Sequence, residues 1–152
     1  MTEIEIRPAR FADPQVQELV TQVLADLGER YGSSGDDTPI SLTDFDPPAG
    51  AFFVAEQAGR LIGCAGWRRH GEDAELKRMY TAPAARGRGL ARRLLATIEE
   101  SARSAGCKRV ILETGRKQPE AIGLYESSGY ERIEDFGFYK GYPDVLSYAR
   151  VL

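Results

Sequence analysis

The sequence has few of the residues that define a disulfide-rich or metal-binding protein. Its 152 residues include two cysteines, Cys64 and Cys107, without a CxxC spacing, and one histidine, His70. Two isolated cysteines do not make a disulfide framework, and one histidine does not make a histidine-based metal site. We therefore predict reduced core cysteines, an exposed turn at His70 and no bound metal.

Long apolar runs are also missing. The longest one, residues 51–55, is far shorter than the roughly 20 residues that a membrane-spanning helix needs. The first residues are charged, unlike a secretory signal. These two absences argue against a membrane partner and predict a cytoplasmic location. Because 152 residues suit one domain with one core, we expect residues 1–152 to form a single domain.

Charge is distributed unevenly along the chain. The net charge of -3 combines a balance of -8 over residues 1–56 with an excess of positive charge in the remainder. Residues 76–98 contain six basic residues and no acidic one. A short basic block in an acidic protein favours a compact anionic ligand over a nucleic acid, which needs a broader basic surface. The alternative for this block is a solvated helix face.

Hydrophobic periodicity predicts a mixed α/β fold. Alternating or β-branched runs predict strands over residues 4–7, 51–56, 60–67, 74–81, 109–114, 130–133 and 145–151. Apolar residues at helical spacing predict helices over residues 14–31, 87–105 and 119–128. Residues 33–50, which are rich in Ser, Asp, Pro and Gly, predict a loop. The resulting order, β-α-β-β-β-α-β-α-β-β, predicts one sheet with helices on both faces.

A glycine-rich turn joins the fourth predicted strand to the second predicted helix. Its sequence is Arg86-Gly87-Arg88-Gly89-Leu90-Ala91. Free amides and the helix dipole at such a helix start favour an anion, and glycine lets phosphate oxygens approach the backbone. The turn does not fit a dinucleotide fingerprint, because Arg92 stands where a glycine or alanine is needed, and no P-loop run exists. By itself the turn also fits an ordinary helix start.

Two motifs together resemble the GNAT superfamily of N-acetyltransferases. Arg86-x-x-Gly89-x-Ala91 is similar to its Q/R-x-x-G-x-G/A turn, and Thr81-x-Pro83 stands where its members usually have V-x-P. Downstream, residues 121–130 (AIGLYESSGY) resemble its A-x-x-L-Y-x-x-x-G-F signature. The resemblance covers residues 51–135. It implies a mixed, mostly antiparallel sheet of six to seven strands with helices on both faces and a splay between the fourth and fifth strands.

The same resemblance implies acetyl-CoA as the donor and a site that binds it. The amides of Arg86, Gly87, Arg88, Gly89, Leu90 and Ala91 would bind the pyrophosphate, with the two arginines adding positive charge. The strand backbone at Met79, Tyr80 and Thr81 would pair with the pantetheine like an extra strand. Gln118 stands where many members have an asparagine that faces the cofactor.

Tyr125 is the candidate general acid under this resemblance. Direct acetyl transfer from a thioester releases a thiolate, and a phenol can donate a proton to it. Tyr125 also continues an apolar stripe with Ala121 and Ile122, so a purely structural place in the core is the alternative.

Glu75 is the candidate base, acting directly or through water on the acceptor ammonium. It is predicted to share a strand face with Lys77 and Met79, near the implied splay. The alternatives are a glutamate that faces solvent or one that pairs with Lys77 or Arg78. Glu113, on the neighbouring predicted strand, is a second candidate base.

The acceptor is expected to be a primary amine of a small molecule, because the chain is compact and has no added recognition domain. Acetylation of a protein N-terminus or lysine is one alternative, and a non-catalytic acyl-CoA-binding module is another; a homodimer is a further expectation. Acids in the first third of the chain would favour cationic amines if they face the pocket: Asp36, Asp37, Asp44 and Asp46. Arginines would instead hold the carboxylate of an amino acid: Arg30, Arg68 and Arg69. Aromatic residues either line this pocket or pack in the core: Tyr31, Trp67, Tyr139 and Tyr142.

Overall fold

The computed structural model describes residues 3–32 and 35–152. Within them the helices and strands follow the predicted order: β1 (Glu5–Pro8), α1 (Pro14–Tyr31), β2 (Gly50–Gln57), β3 (Arg60–His70), β4 (Asp73–Thr81), α2 (Leu90–Ser104), β5 (Arg109–Gly115), α3 (Pro119–Ser127), β6 (Glu131–Arg132) and β7 (Val145–Val151). A short 3-10 turn, Pro83–Ala85, precedes α2. Of the predicted loop, Ser33 and Ser34 lie outside the described residues, and residues 35–49 contain neither helix nor strand.

The strands form one sheet with the order β1-β2-β3-β4-β5-β7-β6. Neighbouring strands are antiparallel except β4 and β5, which run parallel. That parallel pair is joined only at Ala74–Val110 and Glu75–Ile111. Beyond these two pairs the strands separate. The mixed, mostly antiparallel sheet and the splay between its fourth and fifth strands are therefore confirmed.

Helices cover both faces of this sheet. Asp13 accepts a hydrogen bond from the Gln15 amide and so caps α1, which buries an apolar stripe that includes Val16 and Val20. This stripe packs on one side of the sheet. On the other side, α2 buries a stripe with Leu94 and Ile98 at its centre. Each helix thus hides one apolar face, as its period of 3.6 residues requires.

A β-bulge interrupts the regular alternation of β4. The pairing of β4 with β3 shifts between Cys64–Tyr80 and Gly66–Lys77. Arg78 lies at this shift with a φ of 57°, which is uncommon for a residue other than glycine. A bulge places one extra residue in one strand, so side chains beyond it reverse their expected faces.

The reversal changes which residues of β4 share a face. Met79 packs with Leu76 against the α2 side, whereas Tyr80 packs with the α1 side. Glu75 immediately precedes Leu76 in the regular part of the strand, so its side chain points away from the α2 side. The predicted common face of Glu75 and Met79 is therefore wrong, because the sequence pattern does not reveal the extra residue at Arg78.

Other expectations concern cysteines, metals and membranes. Cys64 and Cys107 are both free and buried, as predicted. In the described part of the chain, no group of three or more His, Cys, Asp or Glu side chains is placed to hold a metal ion. Nor does any helix among the described residues have the length and apolarity to cross a membrane.

Candidate active site between the splayed strands

The separation of β4 and β5 opens a cavity of about 400 Å³. Its walls come from the end of α1, the loop that follows, the second half of β4, β5, the start of α3 and residues 139–145. Several predicted site residues line it: Met79, Tyr80, Glu113, Gln118 and Tyr125. The glycine-rich turn lies beyond the end of β4, next to the cavity wall that Tyr80 forms.

The glycine-rich turn presents free amides. Gly87 and Gly89 have φ angles of 80° and 74°, and a Cβ added at either would meet nothing within 4 Å. In the part of the chain that the structure describes, no side chain caps α2, and the Arg93 amide closes the first turn of the helix by donating to the Gly89 carbonyl at 3.2 Å. Among the described residues, the amides of residues 87–92 therefore have no backbone acceptor. This donor set is suited to a phosphate group.

Arg86 makes hydrogen bonds to neighbouring parts of the protein. Its amide donates to the Pro83 carbonyl at 3.3 Å, and its Nε donates to the Thr81 carbonyl at 3.0 Å. Its guanidinium lies over the Tyr80 ring and 4.0 Å from the carboxylate of Asp26. The predicted use of the Arg86 amide is corrected accordingly: the free amides begin at Gly87, and the Arg86 side chain braces the turn against the end of β4.

Tyr125 combines a packed ring with a hydroxyl at the cavity. The residue is 7% exposed, and its ring packs against those of Tyr130 and Tyr148, with centroids 5.7 and 6.4 Å away. Its hydroxyl donates to the Met79 sulfur at 3.9 Å. Burial raises the pKa of Tyr125, so the phenol keeps its proton at neutral pH. The structural and catalytic interpretations of this residue are thus compatible.

Gln118 stands at the start of α3, where it contacts the end of α1. Its side-chain amide donates to the Tyr31 hydroxyl at 3.4 Å, and the Lys117 backbone amide donates to the same oxygen at 3.2 Å. A Cβ at Gly115 would overlap that hydroxyl. The glycine therefore allows the end of α1 to close over the end of β5 beside the cavity.

Glu75 does not line the cavity. It is 3% exposed, and its Oε1 accepts a hydrogen bond from the Arg68 Nε at 3.0 Å. Arg68 also donates to Asp44 at 3.0 Å. Neither alternative predicted for Glu75 applies, because it is buried away from solvent and its partner is on β3 instead of being Lys77 or Arg78.

Glu113, the second candidate base, lines the cavity. Its Oε2 accepts from the Tyr139 amide at 3.0 Å, while its Oε1 is buried and has no hydrogen-bond partner among the described residues. Burial raises the pKa of Glu113, and the Tyr139 amide and the positive charge of Lys77 offset part of that rise. A carboxylate with a raised pKa and an unused acceptor oxygen is suited to receive a proton.

Asp36 binds two consecutive basic residues of β4. Its Oδ2 lies 3.0 Å from the Lys77 Nζ and 2.6 Å from the Arg78 guanidinium. Its Oδ1 accepts from the Thr38 amide at 3.0 Å and the Tyr139 hydroxyl at 2.8 Å. Burial alone would raise the pKa of Asp36, but Lys77 and Arg78 hold it well below its usual range. This network was not predicted from the sequence, because Asp36 and the pair Lys77-Arg78 are about forty residues apart.

The remaining pocket predictions divide clearly. Three of the four aromatic candidates line the cavity: Tyr31, Tyr139 and Tyr142. Trp67 is in the core, where its indole donates to Ser101 at 2.9 Å. Of the acids, only Asp36 and Asp37 line the cavity, since Asp44 pairs with Arg68 and Asp46 with Arg10. The candidate arginines do not line it: Arg30, Arg68 and Arg69.

Comparison with known proteins identifies the class. The Acetyltransferase (GNAT) family profile matches residues 17–130. The chain is 36% identical to the IAA acetyltransferase of Azospirillum brasilense, over 87% of this chain and 88% of that protein. These matches show that the chain belongs to the GNAT family of acetyltransferases. It is an acetyl-CoA-dependent N-acetyltransferase.

Solved structures agree with this assignment. A Klebsiella pneumoniae protein assigned as an acyl-CoA N-acyltransferase has a TM-score of 0.82 at 28% identity, covering 98% of this chain and 97% of its own. A GNAT family acetyltransferase from Elizabethkingia anophelis, solved with acetyl-CoA bound, has a TM-score of 0.72 at 20% identity, covering 98% of each chain. The second likeness shows the shared fold.

Proposed function

We propose that this chain transfers the acetyl group of acetyl-CoA directly to the primary amine of a small molecule, in the cavity between β4 and β5. One observation carries the proposal: a proton donor, the Tyr125 hydroxyl, and a proton acceptor, the Glu113 carboxylate, line the same cavity. Aminolysis of a thioester needs both, because the ammonium must lose a proton before it attacks and the leaving thiolate must gain one.

The turn after β4 supports binding of the pyrophosphate. The amides of residues 87–91 have no backbone acceptor within residues 3–32 and 35–152, Gly87 and Gly89 leave open space, and Arg88 is exposed beside them. A phosphate at this position would also benefit from the dipole of the 15-residue helix α2. The residues of the turn therefore fit the phosphate end of acetyl-CoA.

The splay supports binding of the pantetheine arm. Among the described residues, pairing between β4 and β5 ends at Glu75–Ile111, so the edge of β4 at Met79 and Tyr80 faces the cavity. Thr81 does not line the cavity, and its carbonyl accepts from Arg86. An extended amide chain can pair with such an edge. Gln118 faces the same space from α3. When bound there, acetyl-CoA supplies the thioester that the amine attacks.

We assign the two proton transfers to residues of this chain. Tyr125 donates a proton at its hydroxyl to the leaving sulfur, since burial keeps the phenol protonated. Glu113 accepts the proton of the acceptor ammonium at its free Oε1. Glu75, the first candidate base from the sequence, is held by Arg68 outside the cavity. We propose a structural role for it, as the buried partner of Arg68.

The closure of the cavity supports a small acceptor. The Tyr139 hydroxyl donates to Asp36 and accepts from the Asp37 amide at 2.6 Å, so residues 35–38 are tied to the segment that follows β6. The cavity volume of about 400 Å³ suits a small amine beside the end of the pantetheine. A protein terminus or lysine on a folded protein would need a more open groove.

Release of free thiol from acetyl-CoA tests this function. The assay compares a panel of small primary amines with peptides that offer a free N-terminus or a lysine, at equal amine concentration. We expect thiol release and an acetylated product with small amines, at a kcat/KM at least tenfold above that with the peptides. Faster acetylation of the peptides would contradict the small-molecule acceptor. The single-domain organisation, the cytoplasmic location and the homodimer stay predictions.

A further inference from the structure

Two buried side-chain atoms in the described part of the chain have no hydrogen-bond partner: the Nε of Arg78 and the Oε1 of Glu113. Both residues line the cavity between β4 and β5. One atom is a cationic donor and the other an anionic acceptor. Buried polar groups are nearly always satisfied in folded proteins, so unmet groups of opposite charge in one cavity point to a ligand that carries both complements.

The bulge in β4 creates the cationic half of this arrangement. In a regular strand Lys77 and Arg78 would point to opposite faces. Here both side chains reach Asp36, and both line the cavity. The Arg78 side chain is only 6% exposed, although it extends from a residue with the strained φ of 57°. The strained backbone at Arg78 therefore allows two neighbouring cations, Lys77 and Arg78, to line the same cavity.

The charges of this group are not balanced once the reaction is considered. Asp36 neutralises one of the two cations, Lys77 and Arg78. Glu113 lies close enough to Lys77 to be influenced by its charge, but it becomes neutral when it takes the proton of the acceptor ammonium. Lys77 and Arg78 together carry one more charge than Asp36 neutralises, and an anionic group bound beside them would offset it.

We propose that the acceptor is an amine of the amino-acid class, whose carboxylate binds Arg78 and Lys77 while its amine is next to Glu113. This inference rests on the proposed function and adds the substrate class. A guanidinium matches a carboxylate in both charge and planar geometry. The arginines expected from the sequence to do this are engaged elsewhere: Arg30, Arg68 and Arg69.

The opposite specificity is a preference for cationic amines. Asp37 lines the cavity, and so do Asp26 and Asp144. Asp26, however, lies 3.6 Å from Arg30 and 4.0 Å from Arg86, and Asp36 is neutralised by its two basic partners. The side chains of Lys77 and Arg78 are 5% and 6% exposed, less than those of Asp36 at 11% and Asp26 at 33%, so we infer that these two cations act on the acceptor more strongly than either carboxylate.

The test compares each L-amino acid with its own carboxamide in the thiol-release assay, with putrescine and propylamine as the cationic and neutral amines. The acid and its amide share the reacting amine and the side chain, so only the carboxylate differs. We expect kcat/KM for the best amino acid to exceed that for its amide by at least tenfold. Equal values for the pair, or a higher value for putrescine, would overturn the inference.

Variants assign this preference to a residue. Arg78→Gln should reduce the acid-to-amide ratio to about one, whereas Arg69→Gln, a matched change outside the cavity, should leave the ratio as in the wild type. A wild-type ratio in Arg78→Gln would remove Arg78 from the acceptor site. If Arg78→Gln does not fold, Lys77→Met is examined in the same way, and the wild-type comparison stands without either variant. Absence of thiol release with every amine would instead overturn the proposed function itself.

Discussion

The hydroxyl of Tyr125 on α3 lies 3.9 Å from the sulfur of Met79 on β4, and both residues line the cavity between the splayed strands. This contact depends on the bulge at Arg78, because without the extra residue Met79 would face the α1 side of the sheet. The same bulge turns Lys77 and Arg78 together toward Asp36. One local irregularity therefore shapes both sides of the cavity, to which we assign the thioester and the acceptor.

The glycine-rich turn gives the first prediction. Gly89→Val should weaken acetyl-CoA binding at least tenfold, about 1.4 kcal/mol, because Gly89 has a φ of 74° and its open space is where the phosphate would approach. Calorimetric titration measures the affinity. Gly106→Val is the matched control: it has a φ of 84° and equally open space, but it follows α2 instead of preceding it. Equal affinities in the two variants would remove the turn from the cofactor site.

Tyr125 gives the second prediction. Tyr125→Phe should lower kcat by roughly 10²- to 10⁴-fold, the range typical of a lost general acid, with acetyl-CoA affinity nearly unchanged. The comparison variant is Tyr130→Phe, which removes a neighbouring buried hydroxyl that donates to Glu99 at 2.8 Å. Its kcat should stay near the wild-type value. A normal kcat in Tyr125→Phe would leave Tyr125 as a core residue alone.

Glu113 gives the third prediction, which concerns pH. Burial raises the pKa of Glu113 above the ordinary glutamate value of about 4.3. Glu113 can act as a base only when it is deprotonated, and this requires a pH above the raised pKa. Activity should therefore rise with pH through that region, in addition to any rise from the ammonium of the acceptor itself.

Two variants identify the group that titrates. Glu113→Gln should lower kcat/KM by roughly 10²- to 10⁴-fold and abolish the lower limb of the pH profile. Glu75→Gln alters a carboxylate that is bound to Arg68 outside the cavity, and the limb should persist. If the low-pH limb disappears in Glu75→Gln and persists in Glu113→Gln, Glu75 is the base and the assignment of Glu113 is wrong.

Asp36 gives the fourth prediction, which concerns stability. Its side chain is 11% exposed between Lys77 and Arg78, so Asp36→Asn leaves buried cations unpaired and should lower the free energy of unfolding by roughly 3–5 kcal/mol. Asp46→Asn should cost at most about 1 kcal/mol, because its partner Arg10 is 75% exposed. Urea unfolding at pH 7 measures both, and equal losses would contradict the network.

The pH dependence of stability follows from the lowered pKa of Asp36. Since the folded state holds this pKa below the unfolded value of about 3.9, the stabilisation is complete above that value and is lost as pH falls below it. The wild type should therefore lose more stability than Asp36→Asn between pH 5 and pH 3. Parallel losses in the two proteins would show that Asp36 does not carry a lowered pKa.

Much of the fold is visible in the sequence because it depends on local patterns. Asp13 and Pro14 mark the start of α1, and the glycine-rich turn marks the start of α2. Strand ends were less visible: the strand expected over residues 130–133 is reduced to Glu131–Arg132, since a two-residue pairing with β7 has no hydrophobic signature of its own.

The acceptor half of the site was hidden for a different reason. Lys77, Arg78 and Asp36 meet only through the bulge and through a loop that folds back over the sheet, and neither feature has a periodic signal. The bulge is also the reason that the predicted common face of Glu75 and Met79 is wrong, because regular alternation across β4 would have placed the two side chains together. Non-local pairing, such as the Tyr139 amide with Glu113, likewise requires the folded chain.

The central claim is that the cavity between β4 and β5 joins a thioester to an amine, and single-turnover kinetics tests it most directly. Enzyme in excess over acetyl-CoA is mixed with an amine panel, while free thiol and acetylated amine are followed together. We predict equal amounts of both products in the wild type and a markedly slowed appearance of both in Tyr125→Phe. Tight binding of acetyl-CoA without thiol release in the presence of any amine would contradict the claim. That result would identify a non-catalytic acyl-CoA-binding protein.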